Sequence, residues 1–176
     1  MWVYRTGKYQ MDRQVILYDY QKTRKADHPR EFLKDFRGVC VTDGYQVYHT
    51  LEGELEDLEI SGCWAHSRRR YDEAVKALPK SEQKMSLAYL ALSQIQQIYH
   101  EEAELQDMTP AERRKHRQKF IKPLVDAYFN WIRINIDKVM PKSKTYNGMT
   151  YSINQEKYLR SCLLYTSPSP RDAHES

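Results

Sequence analysis

The chain has 176 residues, enough for one domain with a real core and too few for two large ones. Lys and Arg number 28 against 24 Asp and Glu, a formal +4 that suits a polyanionic partner without identifying one. There is no run of ~18 apolar residues and no apolar signal segment, so nothing here calls for a membrane; three cysteines without a C-x-x-C pair suggest a reduced, cytoplasmic setting.

In chain order, "MWVYRTG" sets Trp2, Tyr4 and Thr6 against Val3 and Arg5, and "QVILYDYQ" is β-branched and aromatic. With "TGKYQMDR" between them, around Gly7, the two segments predict a hairpin. "DHPREFLKDF" predicts a short helix, with Pro29 in the first turn and Phe32, Leu33 and Phe36 at helical spacing. "GVCVTD" predicts a third strand, built on Val39, Cys40 and Val41 and ending at Asp43, and the order hairpin, helix, strand opens an α/β fold.

From residue 63 onward the pattern is helical. "AHSRRRYDEAVKAL" places Tyr71, Val75 and Leu78 on one face and stops at Pro79. Residues 81–106 predict one long amphipathic helix through Met85, Ala88, Leu92, Ile95 and Tyr99. "TPAE" is a helix start, with Thr109 as cap, Pro110 at the first position and Glu112 closing a capping box; the basic "AERRKHRQKF" follows. A further helix is expected from Leu124 to Met140, with Tyr128, Trp131, Ile132, Ile136 and Val139 on its stripe. Gly148 is expected just before a last run, "MTYSINQEKYLRSCL". The tail "YTSPSPRDAHES" is expected to be disordered, and its abrupt change of composition reads as non-native sequence.

Asp43 has two readings. A carboxylate at the carboxyl edge of a buried strand is placed to hold a metal, with Gly44 turning the chain away from it. The same pair also suits a plain turn in which the Asp side chain binds backbone amides, and spacing alone favours that version. Cys63 and His66 form a lone C-x-x-H with no second pair nearby, weak support for zinc. Arg68, Arg69 and Arg70 stand at a helix start against the dipole, which suits nearby phosphate oxygens or else a solvated face. Arg113, Arg114, Lys115, His116, Arg117 and Lys119 form a second basic cluster able to lie along DNA. The preceding Glu101, Glu102 and Glu104 argue in part for pairing within the chain. No GxGxxG, Walker loop, GxSxG or HExxH is present, which lowers nucleotide-cofactor and serine-hydrolase chemistry.

Five stretches in order, "TDGYQVYHTL", "GCWAHSRRRYDEA", "IQQIYHEEAEL", "ERRKHRQKFIKPLVDAYFNWI" and "MPKSKTYNGMTYSINQEKYL", strongly resemble the central DDE domain of the insertion-sequence-66 family of bacterial transposases, over about residues 1–162. The resemblance implies an incomplete RNase H-like mixed sheet over residues 1–60 and a mostly helical insertion region over 61–162, with 163–176 outside both. It also implies metal-dependent DNA cleavage and strand transfer, with three acids holding two divalent ions, normally Mg²⁺. Asp43 falls where the family's second aspartate belongs, and Cys63 with His66 matches a C-x-x-H element of structural or DNA-proximal role. The implied partners are DNA, as transposon ends and target, and other transposase protomers or accessory proteins, in the bacterial cytoplasm.

The departures are specific. The D-E-T context of a first aspartate and the D-N-N-x-x-E-R context of the final glutamate do not occur, and Asp12, Asp19 and Glu156 do not replace them. The chain therefore reads as truncated at both ends, with its hairpin parted from the strand ending at Asp43 and without the ligands to hold Mg²⁺ alone. An inactive transposase fragment is the expectation. The alternative is a non-catalytic DNA-binding or accessory helical protein using the two basic clusters.

Overall fold

In the computed structural model, which describes residues 1–7 and 15–165 and side chains through residue 161, the first alternating segment is strand β1 (Trp2–Arg5). It pairs antiparallel with β2 (Ile16–Asp19), Trp2 opposite Asp19 and Arg5 opposite Ile16, so the expected hairpin is present. The period of two puts Trp2 and Tyr4 on one face. Trp2 is buried beside the rings of Tyr45 and Tyr48, at 6.2 and 6.0 Å, and Tyr4 stacks on Phe32 at 3.7 Å. Strand β2 has no comparable cover, and Ile16, Leu17 and Tyr18 are exposed. The turn expected in "TGKYQMDR" lies, from residue 8 to 14, outside the described residues, as does the tail from residue 166.

Helix α1 (Asp27–Leu33) buries Pro29 and Leu33. Strand β3 (Gly38–Thr42) then ends one residue before Asp43, as its apolar run predicts. The next two elements were not expected: helix α2 (Gln46–Glu54) and strand β4 (Leu58–Gly62). Strand β4 pairs with β3 in parallel, Gly38 opposite Leu58 through Thr42 opposite Gly62, and α2 is the crossover that a parallel pair requires. Leu33, Leu51, Leu58 and Ile60 form the small core beneath this unit.

Among the described residues the strands make two separate two-stranded sheets, β1–β2 and β3–β4. The architecture is thus mixed α/β, and the hairpin is not hydrogen-bonded into one sheet with the parallel pair.

The remaining elements are helices. Helix α3 (Trp64–Lys76) buries Tyr71 and Val75, in line with its sequence stripe. The single helix expected over 81–106 is instead interrupted into α4 (Lys80–Gln83) and α5 (Leu87–Ala103). Ser86 is the reason: its Oγ accepts from the Tyr89 amide at 3.2 Å and caps a new helix. Met85 is consequently exposed, and the buried stripe of α5 runs through Ala88, Ala91, Ile95 and Ile98.

Helix α6 (Pro110–His116) starts with the expected capping box, Thr109 N donating to Glu112 Oε2 at 2.8 Å and Glu112 N to Thr109 Oγ1 at 3.3 Å. It passes through a π-helical turn (Arg117–Ile121) into α7 (Lys122–Asn135). Pro123 accounts for the wide turn, since it has no N–H and its ring displaces the carbonyl one turn earlier. Helix α7 gives way to a 3₁₀ turn (Ile136–Lys138), short of the expected end at Met140. Helices α8 (Lys144–Asn154) and α9 (Glu156–Tyr165) complete the described chain. Gly148 lies inside α8 rather than before it, where a Cβ would meet the Tyr71 ring at 3.0 Å.

Tyr71, Ile95, Tyr128, Phe129, Ile132, Met149 and Leu159 are fully enclosed in the helical core. Its polar atoms are matched internally: Ser152 Oγ lies 2.8 Å from Ser67 Oγ and 2.9 Å from Tyr128 Oη. Helix α9 joins this core to the parallel sheet. Ser161 Oγ donates to the Ile60 carbonyl at 3.2 Å, and a Cβ on Gly62 would meet Leu159 N at 3.0 Å.

Candidate functional site

The carboxyl ends of β3 and β4 lie side by side, since Cys63 N donates to the Thr42 carbonyl at 3.0 Å. Asp43 and Cys63 therefore leave the same edge of the parallel pair. This edge is where open α/β sheets commonly offer ligand-binding side chains.

Asp43 is exposed, and its Oδ1 accepts from the Tyr45 amide at 3.0 Å, the local turn bond that one reading of the sequence predicts. Its second carboxylate oxygen has no hydrogen bond among the described residues. Gly44 takes φ +81°, in the left-handed region, and a Cβ there would lie 2.9 Å from Gln155 Cδ and 3.1 Å from Tyr151 Oη. Tyr151 Oη in turn donates to the Asp43 carbonyl at 3.0 Å. Burial pushes the Tyr151 phenol up to about 12, against a lowering by Arg70, so it keeps its proton and remains a donor near neutral pH. The turn after β3 is thus held by helix α8, more than a hundred residues later in the chain.

Tyr45 and Arg24 are joined to the same turn. Tyr45 stands immediately before helix α2, and its Oη donates to the Arg24 carbonyl at 3.1 Å. The Arg24 guanidinium lies over the Tyr45 ring at 4.9 Å, and that of Arg70 over the Tyr151 ring at 4.2 Å. Sequence reasoning named Arg70 but missed Arg24, Tyr45, Tyr151 and Gln155. Only the spacing of Tyr151 and Gln155, four apart on one helix face, offered a local signal.

The other predicted residues fall as follows. Cys63 is buried at the cap of α3, and the His66 amide donates to its carbonyl at 3.2 Å. Arg68 is half-buried on α3, while Arg69 and Arg70 are exposed. On α6 and the π turn, Arg114, Lys115 and Lys119 are exposed and Arg113 is half-buried. His116 Nε2 lies 3.0 Å from Glu101 Oε2.

Arg117 is set apart from the surface cations with which the sequence grouped it. It is buried, with Nε donating to Glu102 Oε1 at 2.7 Å and an Nη to Oε2 at 2.9 Å. A guanidinium held so by a core carboxylate is not presented to phosphate; the π turn points it inward.

Among the described residues no three His, Cys, Asp or Glu side chains converge on a common metal position. One turn-bonded carboxylate does not fit the two hydrated Mg²⁺ ions that the resemblance implies. Among the same residues, no helix is long and apolar enough to cross a membrane.

Comparison with known proteins bears on this geometry. The family model described as "Transposase IS66 family" matches residues 1–169. The uncharacterized protein y4qI of Sinorhizobium fredii is 26% identical over 152 residues, covering 82% of this chain and 27% of that protein. The uncharacterized protein y4jD of the same organism is 28% identical over 109 residues, covering 59% of this chain and 20% of that protein. The chain thus spans about a quarter of the length of the curated relatives it matches. No solved structure matches.

Proposed function

The chain belongs to the IS66 family of transposases, and from that premise we propose that it is the Asp43-bearing part of a DDE-type catalytic region acting on DNA. The observation that carries this reading is the position of Asp43: one residue beyond β3, at an edge shared with a parallel partner, with one carboxylate oxygen uncommitted among the described residues. Asp43 is proposed as one ligand of a divalent-metal site. Mg²⁺, when bound by a complete set of acids, would supply charge stabilisation at the reacting phosphate.

This chain's own contributions are mechanical and electrostatic. Tyr151 and the Gly44 turn fix the carboxylate at the sheet edge. The exposed cations of α3, α6 and the π turn (Arg69, Arg70, Arg114, Lys115 and Lys119) offer phosphate contacts, and Cys63 with His66 shapes the start of α3. The RNase H-like character of the sheet, the transposon ends and target as substrates, and other protomers as partners belong to the same proposal. So does cleavage with strand transfer by the longer protein.

Two assays test it together. The chain should retain DNA at low salt and release it steeply as salt rises, with the slope reduced when Arg114, Lys115 and Lys119 are neutralised. With Mg²⁺ and a nicking substrate it should give no turnover, because one carboxylate binds an ion only weakly and does not assemble the pair of ions that the reaction needs. Robust nicking that disappears in Asp43→Ala would contradict the second expectation, and no DNA retention even at low salt would contradict the first.

A further inference from the structure

Two exposed arginines flank the Asp43 turn, and each lies against a tyrosine bonded to it. Arg24 covers Tyr45, whose amide donates to Asp43 Oδ1; Arg70 covers Tyr151, whose hydroxyl donates to the Asp43 carbonyl. Arg24 comes from the segment between β2 and α1, and Arg70 from the middle of α3. Neither has a carboxylate within ion-pair distance among the described residues, although Arg30, Arg133, Arg160 and the buried Arg117 all do. The two cations near the carboxylate, like the exposed Arg69 and Arg114, have no acid of their own among the described residues; what sets them apart is the tyrosine that links each to the Asp43 turn.

A guanidinium stacked on an aromatic ring loses little side-chain freedom when it binds. Its N–H donors run round the edge of the plane, so the stacked face leaves that edge open to oxygen ligands. Asp43 carries one negative charge on the turn to which both tyrosines are bonded. A partner with spaced anionic oxygens would complete the charge pattern.

We propose that Arg24 and Arg70 form a phosphodiester clamp astride the Asp43 turn, each taking non-bridging oxygens of a DNA backbone. The clamp rests on the reading that this chain acts on DNA, and it deepens that reading by fixing where the backbone crosses the sheet edge. Tyr45 and Tyr151 are positioning residues in it, each carrying one arginine over its ring and bonding to the turn between them.

The experiment is DNA binding by the whole chain, measured by fluorescence anisotropy with EDTA present and across a salt series. Arg24→Ala and Arg70→Ala should each weaken binding and lower the salt slope by about 1. Arg24→Lys and Arg70→Lys keep the charge but lose the forked guanidinium held over the ring, so each should retain the slope and bind with intermediate affinity. Asp43→Asn should tighten binding, because it removes the carboxylate that repels a phosphate passing between the arginines. All three positions are exposed, and far-ultraviolet circular dichroism should confirm the fold of each of the five variants.

If the parent chain binds DNA but Arg24→Ala, Arg70→Ala and Asp43→Asn leave affinity and slope unchanged, the clamp is wrong while the DNA reading survives. If equal losses follow from lysine and alanine replacements, charge at these positions does not carry the binding and the clamp is overturned. Should the parent chain fail to bind DNA at low salt, the reading beneath the clamp falls with it.

Discussion

The strand-bearing region through Gly62 and the helical region from Trp64 solve the burial problem differently. The helices enclose Tyr71, Tyr128, Phe129 and Ile132 completely and match their hydroxyls among themselves. The strand-bearing region buries Leu33, Leu51, Leu58 and Ile60 in its own cluster, two of them from helices α1 and α2, and leaves Val3, Ile16, Leu17 and Tyr18 exposed. Yet the candidate functional carboxylate sits on the weaker side. Its turn is held by Tyr151, and β4 is covered by α9, so the site takes its rigidity from the helical region.

The sharpest way to break this contrast is inside the helices. Glu102→Ala leaves Arg117 buried without its partner and should cost about 3–5 kcal/mol in chemical denaturation, whereas Glu102→Leu with Arg117→Met should cost much less. A small effect of Glu102→Ala would mean that the pair is not enclosed as described.

The join between the regions comes next. Gly62→Ala forces a Cβ to within 3.0 Å of the Leu159 backbone, which cannot swing away as a side chain would. A loss of about 1–3 kcal/mol is expected. Hydrogen exchange should quicken first in β3 and β4 and leave α5 and α7 protected. Uniform acceleration would erase the distinction between the regions.

Acid should act on the helices through α7 and α9. Burial alone would raise Glu156, but bonds from Arg133 and Arg160 outweigh it and hold the carboxyl below its usual range. Bonds from Lys122 and Arg160 hold Asp126 down likewise. With folded values below the unfolded ones, their stabilisation is complete above about pH 4.5 and is lost as pH falls through the folded values. Thermal melts of Glu156→Gln against the parent should therefore differ at pH 6 and draw together as the pH is taken down into acid.

The smallest expected effect lies at the site. Asp43→Asn removes an exposed charge and should shift stability by less than about 0.5 kcal/mol. A large loss would mark Asp43 as a structural turn residue, against the role proposed for it.

What the sequence made legible was local. The Thr109 capping box and the end of β3 at Asp43 are written in adjacent residues, and both are found as read. Strand β4 was missed because Glu59 and Ser61 dilute a five-residue run and its partner is a parallel strand across a helix. The break at Ser86 was hidden by a continuous apolar stripe, while its cap acts through one hydroxyl. Pairing of the basic run with the preceding glutamates was in part legible and is found at Glu101 and Glu102, but Arg117 looked like its neighbours and only the fold shows that it is the buried partner. The same holds for Tyr151 at the Asp43 turn, a contact across 108 positions that no local pattern encodes.

The central claim, that Asp43 is a metal ligand held at the sheet edge, is tested most directly by titrating Mn²⁺ into ¹⁵N-labelled chain. The amides of residues 42–45 should broaden before all others, and Asp43→Asn should abolish that broadening with the remaining spectrum intact. Broadening that begins elsewhere, or persists unchanged in Asp43→Asn, would contradict the account.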